Sequence, residues 1–499
     1  MGKRKKILLV YPRYPSTFWS LRYALEFIGK KASHPPLGLL TVSNILPRDW
    51  SKKLIDLNVK PLTDKHLDWA DMVFLSGMTI QKKSATEVIE RCQKKNVRLV
   101  AGGPMFTTGY QEFAGIDHYI LNEAEITFQQ FLTDLRNGTP RKFYYTDKWC
   151  NMRNSPAPDW NLINKKDYAT MSIQFSRGCP YDCEFCDITQ LFGHKMRRKS
   201  VGQIINELEV IYKTGWTENI FFVDDNFIAH RKVIKEKLLP AIIKWSKERN
   251  YPFTFNTQAS IDLADDRKLM RLMTAAGFDT VFIGIESPNE ESLVECRKNQ
   301  NQGRDILTSV RIIQKQGLIV QGGFIVGFDS DPKSIFETQI KFIQKSGIAT
   351  AMVGLLNALK GTQLYRRLKE EGRLLKDKNQ GDNTNFSINF IPNMDTEKLR
   401  IGYKKIVSTI YSPQNYYLRV KNFLKVYNPK TRVKNKIKWH HIMAFIKSTV
   451  KLGILEKERI YYWKLLIWAL IKKPKIFPTA VTLSIYGFHF RKVFEKYKL

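Results

Sequence analysis

The sequence predicts an α/β chain in three parts: a Rossmann-like N-terminal domain, a partial (β/α)6 barrel, and a helical, basic C-terminal region. Three observations carry this. Short apolar runs alternate with amphipathic stretches over the first three quarters of the chain, as parallel sheets with crossover helices require. Three of the six cysteines crowd into SRGCPYDCEFCDIT, directly after one such run. The composition then changes sharply toward the C-terminus.

Residues 1–140 form the first predicted domain. KKILLVYP, KKLIDLN, DMVFLSG, VRLVAGG and HYILNE are five candidate buried strands, with helical patterns at SATEVIERCQKK and ITFQQFLTDLR. Residues 141–170, with Pro156 and Pro158, form a predicted linker. Residues 171–376 hold six more candidate strands, MSIQFSRG, NIFFVDDN, FTFNTQAS, TVFIGIES, IVQGGFIVGF and ATAMVGLLNAL. Six βα units predict a barrel or part of one, with chemistry at the strand C-terminal ends. Polar DKNQGDNTNFS marks the next boundary, and 388–499 is the C-terminal region.

The chain carries 81 Lys+Arg against 47 Asp+Glu, a net +34. From Ile401 onward there are 22 basic residues against Glu456, Glu458 and Glu495, so this fifth of the chain holds +19. An anionic partner follows, either nucleic acid or an acidic membrane surface. Trp463, Trp468, Tyr461, Tyr462 and Phe477 interleave with Lys464, Lys472, Lys473 and Lys475. That apolar content favours the membrane interface over base stacking. The 15 residues IFPTAVTLSIYGFHF contain Pro478 and Gly487, and are too short to span a bilayer.

The apolar run in MGKRKKILLVYP is too short for a signal-peptide core, so a reducing cytoplasm is expected, with clustered cysteines as a metal site. Cys179, Cys183 and Cys186 offer three thiolates on one loop. Structural zinc would take a fourth ligand, with His194 nearest. An iron–sulfur cube held by three cysteines instead leaves one iron open to a cofactor. Cys92, Cys150 and Cys296 are scattered and expected to be ordinary thiols.

SRGCPYDCEFCDI resembles the cluster loop of radical S-adenosylmethionine (radical SAM) enzymes. The resemblance implies that these cysteines hold a 4Fe–4S cluster whose open iron chelates SAM, and that reductive cleavage gives a 5′-deoxyadenosyl radical. It also implies SAM contacts from Phe185, from Asp224, Asp225 and Asn226 in FFVDDNF, from Ser260 with Asn256 and Gln258 in FNTQAS, and from Glu286 with Ser287 in FIGIES. The usual Gly-Gly-Glu is absent from the second strand end.

The preceding domain resembles the cobalamin-binding domain of cobalamin-dependent radical SAM enzymes, through HPPLGLLTVSNILP, DLNVKPL, SGMT and AGGP. It implies cobalamin contacts at Ser76, Thr79, Gly102, Gly103 and Pro104. Where the familiar D-x-H-x-x-G loop gives histidine to cobalt, this chain has Asp56-Leu57-Asn58-Val59-Lys60-Pro61. The tail, with FPTAVTLSIYG and YGFHFRKVFEK, resembles the subgroup that includes hopanoid C-2 methylases. Taken together, the resemblances imply a cobalamin-dependent C-methyltransferase acting on an unactivated carbon of a lipid, reduced by a flavodoxin or ferredoxin. A radical rearrangement without methyl transfer and a nucleic-acid-associated protein are the alternatives.

Overall fold

The structure is a computed structural model and describes residues 4–375, 381–382, 384–430 and 438–496. The predicted boundary after 376 therefore lies partly outside the described residues.

The first sheet is wholly parallel. Its strands are β1 (Lys6–Tyr11), β2 (Ser51–Asp56), β3 (Met72–Ser76), β4 (Arg98–Gly102), β5 (His118–Ile120) and β6 (Phe143–Tyr144), in the order β2-β1-β3-β4-β5-β6. Strands buried on both faces need continuous apolar runs, and Ile7 to Val10 and Met72 to Leu75 supply them. Because β2 and β3 flank β1, the connections reverse direction there, and the C-terminal ends of β1 and β3 form a crevice.

β6 is a sixth strand where the sequence showed five and a linker. Two residues are too few to show a period, yet Phe143 stacks on Tyr119 at 5.1 Å and Tyr144 is buried. The rest of the predicted linker winds through short 3-10 turns and packs on the first domain. Trp160 and Tyr168 are buried, and Tyr168 Oη donates to Asp56 Oδ2 at 3.0 Å.

The second sheet has β7 (Met171–Ile173), β10 (Asn219–Phe222), β11 (Thr254–Ala259), β12 (Phe278–Glu286), β13 (Ile319–Val326) and β14 (Ala351–Leu355). All pair parallel, in chain order from β7 to β14, giving the open six-stranded half-barrel the sequence predicted. The helices behind it follow local rules. In Arg267–Ala276, Asp266 caps the start by accepting from Leu269 N at 2.9 Å, and Gly277 ends it at φ +113°. Between β7 and β10 lies an unpredicted antiparallel pair, β8 (Ser176–Arg177) and β9 (Arg197–Arg198).

The C-terminal region is helical, as expected. Helix Phe477–Glu495 is its buried centre. Phe490 stacks on Phe18 at 4.1 Å, and buried His489 Nε2 donates to the Phe18 carbonyl at 2.9 Å. Arg419, fully buried, donates to the Ile410 carbonyl at 2.8 Å and lies over the rings of Tyr411 and Tyr416. The tail is thus packed into the molecule. Among the described residues, no helix is long and apolar enough to cross a membrane.

Candidate cofactor site

The cysteine loop is tied at its neck. β8 and β9 pair across it, and Cys179 N donates to the Gly193 carbonyl at 3.3 Å. Gly178 stands at φ +94°, where a Cβ would meet that same carbonyl at 2.9 Å, so glycine is required. All three thiols are unpaired and partly exposed. Burial pushes the Cys179 thiol up to about 11 and raises Cys183 and Cys186 too, so thiolates here call for a metal to hold them.

The three sulfurs do not lie within 4.8 Å of one another as a set. One tetrahedral zinc with Zn–S bonds of about 2.3 Å needs sulfurs about 3.8 Å apart. Three thiolates on one loop suit an iron–sulfur cube with one open corner. His194, the expected zinc ligand, instead faces Asp182 at 3.8 Å and is exposed. Among the described residues, the three-residue group meeting the single-ion distance is Glu218, His440 and His441, where Lys438 already binds the Glu218 carboxylate at 2.5 Å.

Two carboxylates expected to meet SAM are committed to the loop. Asp224, fully buried, accepts from Phe175 N at 3.0 Å and from Ser176 N and Oγ, both at 2.5 Å. Asp225 accepts from Gly178 N at 3.0 Å. Burial pushes Asp224 up to about 6 and Asp225 up to about 7. Between the cysteines, buried Glu184 accepts two bonds from Arg367, at 2.6 and 3.1 Å. Sequence reasoning missed that anchor, because its partner is 183 residues away.

A second missed feature binds the loop to the first domain. Arg177 donates to Glu123 at 3.1 Å and to Glu125 at 2.8 Å; Arg197 donates to both Glu123 oxygens at 2.8 and 2.7 Å. Cys150 N adds a bond to Glu123 at 2.6 Å. The two glutamates are 1% and 5% exposed. Burial opposes ionisation of Glu125, but Arg177 outweighs it and holds the carboxyl near 2.

Opposite the neck, β12 ends in Glu286, at φ +64° beside a register shift against β13. Lys298 donates to Glu286 at 2.7 Å, and Gln300 Nε2 approaches Cys183 Sγ at 3.9 Å. Burial disfavours the Lys298 ammonium, but Glu286 and the neighbouring thiols raise its pKa regardless. Ser260 accepts from Asn226 Nδ2 at 3.2 Å, while Ser287 is buried and accepts from Asn289 N. Phe185 is partly buried, 6.4 Å from Phe328. Asn226 Oδ1, Asn256 Oδ1 and Gln300 Oε1 are buried acceptors without a donor. Such orphans call for a ligand bearing N–H and O–H groups, as the ammonium and ribose of SAM do.

In the first domain, Ser76, Gly102 and Gly103 lie together at the ends of β3 and β4. A Cβ on Gly103, at φ +87°, would meet Ser76 Oγ at 2.4 Å; one on Gly102 would meet the Ile120 carbonyl at 2.7 Å. Pro104 opens helix Pro104–Gly109, and Thr79 opens the turn after β3, under Gly381. Asn58 is fully engaged: it accepts from Tyr14 N at 2.9 Å and donates to Asp56 at 2.7 Å and Pro12 at 3.3 Å. Its amide is a loop brace with no atom free for cobalt. The crevice with its backbone-only floor fits a large planar group approached without a side-chain ligand from Asn58.

The two domains meet over the half-barrel's inner face. Trp19 packs on Phe282 at 5.5 Å, with Nε1 2.8 Å from Met352 Sδ, and His34 meets Phe221 at 5.3 Å. Phe221, Phe282 and Met352 are half-buried side chains of β10, β12 and β14, so the first domain meets an apolar strip of this face.

Family models match along the chain: a B12 binding domain over residues 31–132, the Radical SAM superfamily over 173–343, and a domain of unknown function over 362–498. The chain is 38% identical over 489 residues to an uncharacterized methyltransferase of Synechocystis sp., covering 97% of this chain and 91% of the relative. It is 30% identical over 480 residues to the hopanoid C-2 methylase of Rhodopseudomonas palustris, covering 94% and 90%. The fold is shared with the cobalamin-dependent radical enzyme OxsB with aqua-cobalamin bound, at TM-score 0.63 and 15% identity over 99% of this chain and 81% of that one. It is also shared with the methyltransferase TsrM from Kitasatospora setae with cobalamin and a 4Fe–4S cluster bound, at TM-score 0.61 and 13% identity over all of both chains. With a tied three-cysteine loop on a half-barrel, and a B12 binding domain facing it, the chain belongs to the cobalamin-dependent radical SAM methyltransferases, in the family that includes hopanoid C-2 methylase.

Proposed function

We propose that this enzyme methylates an unactivated carbon of a lipid, a polycyclic acceptor of hopanoid type, and that it meets its acceptor at an anionic membrane surface. The observation that carries the lipid reading is the outer face of the C-terminal region. Residues 439–471 hold 12 of the 23 large exposed apolar side chains among the described residues. In helix Arg459–Lys472, Ile460, Trp463, Ile467 and Ile471 recur on one exposed stripe, while Tyr462, Leu465, Leu466 and Ala469 fill the buried side. A helix with apolar side chains on both its buried and its exposed sides wants apolar cover on both. Helix Trp439–Val450 packs beside it through Ser448 and Tyr462 at 2.8 Å, and exposes Trp439, Ile442 and Ile446. Exposed Lys457, Arg459, Lys464, Lys472 and Lys475 have no acidic partner among the described residues, so the surface is cationic as well as apolar. Anionic headgroups over acyl chains match both properties.

When bound, the cofactors supply reductive cleavage of SAM and transfer of a methyl group to a substrate carbon radical. The chain supplies placement. Cys179, Cys183 and Cys186 would hold the cluster; Asn226, Asn256, Gln300 and Glu286 with Lys298 would orient SAM; Asp224 and Asp225 hold the loop, with Ser260 and Phe185 at its margin. Ser76, Thr79, Gly102, Gly103 and Pro104 would cradle cobalamin. Trp19, Phe221, Phe282 and Met352 offer the apolar contact a lipid needs and keep water from a carbon radical.

The test is anaerobic turnover with membrane lipid extract and SAM carrying a labelled methyl group. Label in a lipid product heavier by one methylene is expected, and Cys179→Ala should abolish both product and SAM cleavage. A product of unchanged mass would overturn methyl transfer in favour of rearrangement. Co-sedimentation with phosphatidylglycerol vesicles, lost in Ile467→Asp/Ile471→Asp, is the second arm. Salt-sensitive RNA binding without vesicle binding would overturn the lipid reading.

A further inference from the structure

Beside the cysteine loop lies a surface depression that the methyl-transfer reading does not use. Lys148, Trp149, Asn151, Lys195, Arg197 and Arg198 line it. Arg197 is spent on Glu123, but Lys148, Lys195 and Arg198 have no acidic side chain within ion-pair distance among the described residues; both lysines are exposed. Three unspent cations thus ring one aromatic side chain, Trp149, which is 40% exposed and lies 5.3 Å from the Arg197 guanidinium.

The depression leads inward. The Trp149 ring packs on Gly193, where a Cβ would meet it at 3.0 Å. The Gly193 carbonyl in turn accepts from Cys179 N. An exposed ring, one glycine and the first cysteine therefore stand in series from solvent to the cluster loop. On the opposite side, Glu184 and Arg367 close the loop against a helix of the barrel.

We propose that this depression docks an acidic one-electron carrier protein. One low-potential electron must reach the cluster for each SAM cleaved. The carrier loses that electron and the cluster gains it, with no proton or group transferred. Charge complementarity names the partner: unspent lysines and an arginine around an apolar centre match a carrier whose acidic rim surrounds its prosthetic group. The docking face goes beyond the methyltransferase reading and stands whatever the acceptor.

A flavodoxin in its hydroquinone form is the probe, and Lys148→Glu/Lys195→Glu the variant. Both lysines are solvent-exposed and hold none of the loop's hydrogen bonds, so iron content should match wild type. Titration calorimetry should show flavodoxin binding weakened at least tenfold, and the wild-type affinity should fall with added salt as the variant's does not. Flavodoxin-driven 5′-deoxyadenosine formation should fall in parallel, while the dithionite-driven rate stays unchanged. Unchanged flavodoxin affinity, or equal losses with flavodoxin and dithionite, would overturn the proposal. Trp149→Phe, which keeps an aromatic face on Gly193, should retain the binding.

Discussion

Replacing Glu123 with glutamine tests whether the two domains hold the cluster loop jointly. Glu123 is 1% exposed and accepts from Arg177 at 3.1 Å, from Arg197 at 2.8 and 2.7 Å, and from Cys150 N at 2.6 Å. An amide keeps one acceptor oxygen and no charge. Arg177 retains Glu125, but Arg197, 12% exposed at its side chain, loses its acidic partner. Breaking one side of a buried pair costs about 3–5 kcal/mol, and the remaining amide oxygen places Glu123→Gln near the lower end, about 3 kcal/mol. With a urea slope of about 3 kcal/mol per molar, the transition that reports the half-barrel should move down by about 1 M. Anaerobic urea unfolding, followed by fluorescence, reads this directly. Iron should also leave the variant faster under a chelator, because Arg177 and Arg197 flank the cysteines. Adding Arg197→Met should restore part of the loss, since the uncompensated charge goes with it. A midpoint within about 0.2 M of wild type would refute the reasoning.

Glu125 gives a pH signature. Its folded pKa of about 2 lies below the ordinary 4.5, so its stabilisation is complete above 4.5 and vanishes as pH falls toward 2. Glu125→Gln should lower stability by about 3 kcal/mol at neutral pH, with the gap to wild type narrowing steadily in acid urea titrations; a pH-independent gap would contradict this. Lys298→Met should strand a buried Glu286 and cost about 3–5 kcal/mol, while Lys298→Met/Glu286→Gln should recover part of that; additive losses in a double-mutant cycle would show no coupling. Gly103→Ala puts a Cβ 2.4 Å from Ser76 Oγ at a positive φ, so the ratio of cobalt to iron after anaerobic purification should fall, and an unchanged ratio would remove that turn from the cobalamin site.

The strand periods made both parallel sheets legible in the sequence, since long buried strands carry their own apolar runs. β6 was invisible because two residues carry no period, and β8 and β9 because each is two polar residues with no apolar run. The cysteine spacing disclosed the site, but the acids around it divided by geometry the sequence does not contain. Asp224 and Asp225 sit at a strand end where ligand acids are expected, yet they accept from Ser176 and Gly178 backbone groups. Lys298 and Gln300 follow β12 by more than ten residues in polar CRKNQNQ, and no pattern marks them. Asn58 was visible as a departure from the histidine loop; only the structure shows its amide spent on Tyr14, Asp56 and Pro12.

The stretch SRGC joins chemistry to placement within four residues. Ser176 binds Asp224 in the half-barrel, Arg177 binds Glu123 and Glu125 in the B12 binding domain, Gly178 gives the close turn, and Cys179 is the first cysteine of the loop. A methyl donor and a radical source on separate domains are useful only at a fixed separation, because a near-attack geometry tolerates little displacement. Flexible side chains at a polar interface would let that separation drift. Here the residue next to the first cysteine but one is itself the rivet, so the loop cannot move from the first domain without breaking charged bonds in a site almost closed to water. That argument puts the fixed point of the two-domain reaction at Arg177, and it predicts that Arg177→Lys, which keeps the charge but loses the forked contact, should couple SAM cleavage poorly to methyl transfer. The ratio of 5′-deoxyadenosine to methylated product should rise in that variant; a wild-type ratio would mean that the interdomain distance is set elsewhere.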